Sequence, residues 1–259
     1  QNDNFLFSGR LANAGDHVFD NWVDSILQQL QFLATFKQKR IYYLAKDIPL
    51  MQQFLLPELA AFKFFFWQKS ILHYNEFRGV RFSLKNMPEG LMDKSARIIQ
   101  VYNQIDSTDI WNIESINSTI RQIEFYRDAN AFESKEDIDQ LYLAVLKIID
   151  HLETQAEKGL KYNIGEEPKP GAARYDLYNN ELILGDNTLL FEVDQMRITI
   201  LNHSVINFIS TRDEQFNNYM FNMLDNLIKK STALSISSEK ERTLFFNRVR
   251  EMVKKASGL

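Results

Sequence analysis

Apolar positions recur at helical spacing over most of the chain. From Asp16 onward Phe19, Trp22, Val23, Ile26, Leu30 and Leu33 follow mostly at intervals of three and four, which predicts a helix started by Asp16. Pro49 and Pro57 each suit the first position of a helix, where a missing N–H loses nothing. A short helix over 49–55 and a longer one over 57–73 are therefore expected. The longer one carries Phe62, Phe64, Phe65, Phe66 and Trp67, is apolar on nearly every side and reads as a central buried helix. Lys63 is its exception and must reach either solvent or a partner. Pro88 opens a further helix with Ile98, Tyr102 and Ile105. Ile113, Ile116, Ile120 and Ile123 form the stripe of the next. Ser134 and Asp137 form a capping box ahead of Ile138, Leu141, Val145, Ile148 and Leu152. These last two stripes read as antiparallel partners in a bundle or as a dimer seam.

Beyond Gly159 the pattern changes. Tyr162–Ala173 is a linker-like stretch holding Pro168, Pro170, Gly165 and Gly171. After it come short runs rich in β-branched and aromatic residues: Tyr175–Tyr178, Glu181–Leu184, Thr188–Val193, Met196–Leu201 and Val205–Ser210. Asn, Asp and Gly separate them at hairpin spacing, which predicts an antiparallel meander. Thr211–Glu214 reads as a capping box for a helix bearing Phe216, Met220, Met223, Leu224, Leu227 and Ile228, and Ser238–Glu241 as one for a final helix. Two earlier stretches are ambiguous: Ile41–Ala45 fits a strand or a helix start, and Phe77–Lys85 alternates weakly like a strand. The expected fold is α+β and mainly helical. A helical bundle over 1–160 is followed by a β-meander with two C-terminal helices over 161–259, the two packed as one unit.

Composition narrows the class. A chain of 259 residues that is 45% hydrophobic and 13% aromatic is not intrinsically disordered. A formal net charge of −4 argues against a broad nucleic-acid surface on this chain. The absence of cysteine removes disulfides, thiolate catalysis and thiolate zinc sites, and fits a reducing cytoplasm. Glu58, Lys63, Gln68 and Lys69 interrupt the aromatic run, so no membrane span is expected. The first residue is glutamine, which reads as a fragment or a processed product of something longer.

Catalytic and cofactor signatures are not found. The four histidines, His17, His73, His151 and His203, include no pair at metal-ligand spacing and read as ordinary surface or boundary residues. No glycine-rich phosphate loop, nucleophile elbow or kinase signature occurs. The acidic pairs read as solvated faces, so no cofactor and no metal are expected, and the chain reads as non-enzymatic. Phe62, Phe66, Trp67 and Lys63 are the candidates for lining an apolar ligand pocket, beside their plainer reading as a core helix. The methionines at 220 and 223 read as core or dimer seam. The basic residues near the C-terminus are interleaved with Glu239, Glu241 and Glu251 and read as a solvated helix face.

Ala45–Leu72, with its AKDIP and PELAAFKFFFW segments, resembles the long C-terminal region of certain bacterial helix-turn-helix transcriptional regulators. Ser238–Val253 and Ser8–Asp16 look similar to other parts of the same proteins. The resemblance spans most of the chain and implies an effector-sensing or dimerisation region whose DNA-binding helices lie outside it. Homodimerisation, a small-molecule effector, and DNA contact only through that absent domain follow as expectations. A protein–protein interaction module is the alternative, and a small-molecule enzyme the third reading.

Overall fold

The computed structural model describes residues 16–44, 47–48, 50–71, 81–87, 90–181, 187–194, 196–202 and 208–258. Strands β1 (Lys39–Leu44), β2 (Asp106–Trp111) and β3 (Tyr175–Asn179) run parallel at the middle of a mixed sheet. On the β1 side, β4 (Asn187–Val193), β5 (Met196–Asn202) and β6 (Phe208–Thr211) extend it as an antiparallel meander. The two-residue strand β7 (Thr232–Ala233) adds antiparallel to β3, giving the order β6-β5-β4-β1-β2-β3-β7.

Helices fill the crossovers that parallel strands require. Between β1 and β2 lie α2 (Leu50–Gln53), α3 (Pro57–Ile71) and α4 (Leu91–Tyr102), and between β2 and β3 lie α5 (Ile113–Asp128) and α6 (Lys135–Lys158). These helices, with α1 (Asp16–Ala34) and α8 (Glu239–Ser257), share one core with Ile41, Tyr43, Trp111, Tyr175, Leu177, Phe191 and Val193 of the sheet. The opposite face meets α7 (Glu214–Lys230), whose Met220, Phe221 and Leu224 pack on Leu44, Ile110 and Leu190. Strand periodicity explains the division, since alternate residues of β1 and β2 point to opposite faces. Met220 is thus committed to the core.

The α+β class and the helical majority hold, with two corrections. The sheet is mixed rather than strictly antiparallel, and Tyr175–Asn179 pairs in parallel with β2. Both β1 and β2 come from the first 160 residues, so the stretch expected to form a helical bundle also supplies two strands, one of them at the Ile41–Ala45 run that fits a strand or a helix start. β2 reads Asp-Ser-Thr-Asp-Ile-Trp, a sequence too polar to announce a buried strand. The second correction is local: Asp213, not Thr211, caps α7, its carboxylate accepting from the Phe216 N–H at 2.7 Å, while Thr211 ends β6.

Other boundaries follow the pattern closely. Ser134 and Asp137 form the capping box of α6, Ser238 and Glu241 that of α8, and Gly159 ends α6 at φ 63° in the left-handed region. Ile41–Leu44 is strand. Of the Phe77–Lys85 alternation, residues 77–80 lie outside the described residues, Phe82 makes an isolated bridge to Phe132, and Leu84–Asn86 forms a 3-10 turn. Residues 182–186 and 203–207 of the expected meander also lie outside the described residues. No helix among the described residues is long and apolar enough to cross a membrane.

Candidate ligand-binding groove

α6 is a long amphipathic helix. Leu141, Val145, Ile148 and Leu152 face the core, and the next stripe around the helix carries Lys147, His151, Thr154 and Lys158. Beyond Gly159 the chain doubles back: Leu160 bridges Arg174, and the Lys161 N–H donates to the Ala173 carbonyl at 2.9 Å. The returning stretch lays Tyr162, Ile164, Gly165, Glu166 and Glu167 opposite the stripe, enclosing a groove of about 380 Å³ between helix and loop. Gly165 has φ 80°, a conformation in which a side chain is strained, so glycine lets the loop turn there.

The loop is tied at both ends. Asn103, which caps α4, donates its amide to Asn163 Oδ1 at 3.0 Å, and the Lys158 ammonium meets the Glu167 carboxylate at 3.1 Å. The second tie is an exposed ion pair, of a kind that contributes under about 1 kcal/mol. The rim acids have cations beside them: Asp150 takes the Arg250 guanidinium at 2.8 Å, and Glu166 lies 3.7 Å from Lys169.

The floor is different. His151 is 4% exposed and Tyr162 8% exposed; their rings meet edge to face with centroids 5.2 Å apart. Lys158 Nζ stands 5.6 Å from the Tyr162 ring centroid. Burial lowers the His151 imidazole to about 4, so it is neutral near pH 7. Burial, assisted by Glu157 and Glu167, raises the Tyr162 phenol to about 12. His151 Nε2 and Tyr162 Oη are both buried without a hydrogen-bond partner among the described residues. A neutral imidazole of low basicity beside a neutral phenol is poorly matched to proton transfer at neutral pH and well matched to hydrogen bonding.

Directly before Tyr162, Lys161 turns the other way, into the core. Its ammonium donates to the carbonyls of Tyr102 at 3.1 Å and Ile105 at 2.5 Å, and lies 3.3 Å from the Tyr102 ring centroid. Asp109 of β2 is fully buried on the same side of the sheet. Its Oδ2 accepts from Tyr175 Oη at 2.9 Å and Gln52 Nε2 at 3.3 Å, while Oδ1 has no partner among the described residues. Burial raises the Asp109 carboxyl to about 6, against the lowering effect of the Tyr175 hydrogen bond and the Lys161 charge. Burial likewise pulls Lys161 well below the ordinary ammonium range, with Asp109 opposing. Two adjacent backbone residues thus join the groove to an ionic cluster under the sheet.

Phe62 and Phe66, candidates from the sequence, lie elsewhere. Their rings are 5.0 Å apart in an aromatic nest completed by Phe65, Phe82, Tyr126 and Phe132. Lys63 finds its partner in Gln122, donating to the side-chain carbonyl. Burial lowers its ammonium and Asp47 partly restores it. The Trp67 side chain lies outside the described residues. Phe62, Lys63 and Phe66 do not line the groove. His151, an ordinary surface or boundary histidine by its sequence, does line the groove. The stripe Lys147–His151–Thr154–Lys158, leading into Gly159 and an aromatic residue, was the signal that could have found the site.

No cluster of three or more histidine, aspartate or glutamate side chains that could hold a metal occurs among the described residues. No family model, curated protein or solved structure matches the chain.

Proposed function

We propose that this chain is the effector-sensing region of a transcriptional regulator, without catalytic activity, whose DNA-binding part lies outside it. The likeness of Ala45–Leu72 and Ser238–Val253 to such regions supports the class. The observation that carries the sensing role is the groove itself, with two buried, unpartnered polar atoms at its floor and one wall made by a loop held by a weak exposed ion pair. A ligand that binds one position of that loop more tightly than another shifts the population by its differential affinity. The loop leads through Leu160 and Lys161 to Asp109 and β3, so its position is felt at the centre of the sheet. In a homodimer that shift would alter the arrangement of two attached DNA-binding domains.

The test is made in the source cell with the intact gene. Deleting the gene should change a defined set of transcripts, and the wild-type gene should restore their regulation. A Thr154→Trp gene, which fills the groove from the solvent side of α6, should restore protein level but not the response. A deletion that alters no transcript, or a Thr154→Trp protein that responds normally, overturns the reading.

A further inference from the structure

Resting on that reading of the groove, we infer that its effector is a small uncharged planar heterocycle with a hydrogen-bond donor and acceptor on one edge, of the nucleobase or nicotinamide class. The two unpartnered atoms, His151 Nε2 and Tyr162 Oη, belong to rings packed against each other at the floor. Between them they can both donate and accept, because a neutral imidazole nitrogen serves as either according to tautomer and a phenol hydroxyl serves as both. Both atoms are sealed beneath the groove surface, so a ligand edge with one donor and one acceptor reaches them only once the loop carrying Tyr162 moves aside.

Charge at that edge is disfavoured. An anionic or cationic group would give up its hydration against two neutral partners, which is far more unfavourable than transferring an amide. The rim acids do not hold a cation at that edge, since Asp150, Glu166 and Glu167 each have a cation beside them. Aromatic rings at the floor and Ile164 on the loop provide apolar faces for a flat molecule. The volume of about 380 Å³ lies near the small end of the ligand-pocket range, roughly 300–1,000 Å³, so one or two fused rings fit. Release of the exposed Lys158–Glu167 tie is the movement that opens the floor to such a ligand.

Isothermal titration of the whole chain at pH 7.5 tests this with adenine, uracil and nicotinamide as neutral probes and benzoate as the charged planar comparator. At least one neutral probe should bind at least tenfold more tightly than benzoate. Tyr162→Phe and His151→Leu should each weaken that binding about tenfold, with the circular dichroism spectrum unchanged as the check on folding. Benzoate binding as tightly as the neutral probes, no binding by any of the three, or undiminished binding to folded Tyr162→Phe overturns the assignment. If no probe binds while Thr154→Trp still abolishes the transcriptional response, the ligand class fails and the site stands. If Thr154→Trp responds normally, the site fails with it.

Discussion

Two buried regions on the same side of the sheet are stabilised in opposite ways. The nest of Phe62, Phe65, Phe66, Phe82, Tyr126 and Phe132 consists of aromatic rings at stacked and edge-to-face distances, and its stability scales with the apolar surface removed from water. The cluster of Tyr102, Asp109, Lys161 and Tyr175 buries ionisable groups whose desolvation is only partly offset by hydrogen bonds. The first region has one good arrangement, and small displacements simply lose contacts. The second has alternatives, because a change in protonation or in the position of Lys161 redistributes its hydrogen bonds. Rigidity lies with the phenylalanines, and responsiveness with the residues next to the groove.

The contrast is broken most directly by opening the nest. Phe62→Ala should destabilise the chain by about 3–5 kcal/mol, the lost transfer energy plus the cavity left behind. Chemical denaturation should show that loss nearly unchanged between pH 5 and pH 8, since no titrating group in the nest changes charge there. A loss below about 1 kcal/mol, or one that varies with pH, would mean the rings are not the rigid half of the comparison.

The polar region should answer differently. Lys161→Met leaves the buried Asp109 carboxylate without its nearby cation, a change of the kind that costs about 3–5 kcal/mol. Because the Asp109 carboxyl is already raised to about 6, lowering the pH through that value should protonate it and shrink the loss. Adding Asp109→Asn to Lys161→Met should recover part of the stability, with a coupling of about 1–3 kcal/mol in the double-mutant cycle. Strict additivity of the two changes would dissolve the cluster into independent residues.

How much of this was legible in the sequence follows from what kind of signal each residue emits. Helices announce themselves through repeated local spacing, so the stripe of Ile113–Ile123 and the capping box at Ser134 carried through to α5 and α6. The hairpin of β4 and β5 was readable from its turn at Asp194 and its β-branched residues. β2 was not, because its buried positions are occupied by Ser107, Thr108 and Asp109, and their burial depends on partners far along the chain such as Tyr175 and Gln52. The same holds for the groove. Lys147, His151 and Lys158 look like any solvated helical stripe until Gly159 folds Tyr162 back over them. Aromatic density drew attention to Phe62 and Phe66, yet dense aromatic residues fill cores more readily than they line sites, and here they pack on one another.

The subtlest difference between the regions lies in acid, and His151 isolates it. The folded-state imidazole sits at about 4 through burial, below its ordinary value near 6.5. The unfolded chain therefore binds a proton between those values that the folded chain does not, and stability falls as the pH is lowered through that window. The contribution is fully present above about 6.5, and no more than about 3 kcal/mol of it is lost by pH 4. Asp109 acts in the opposite direction, because its raised carboxyl makes the folded state the better proton binder between about 4 and 6. The stability curve of the unaltered chain thus contains two opposing slopes, and only a difference curve separates them. His151→Phe keeps a ring against Tyr162 and removes the proton site, so its stability relative to the unaltered chain should improve steadily from pH 6.5 to pH 4. Thermal melts across that range measure the difference. A flat difference curve would place the imidazole in ready contact with water, and the floor of the groove would then be no drier than the protein surface.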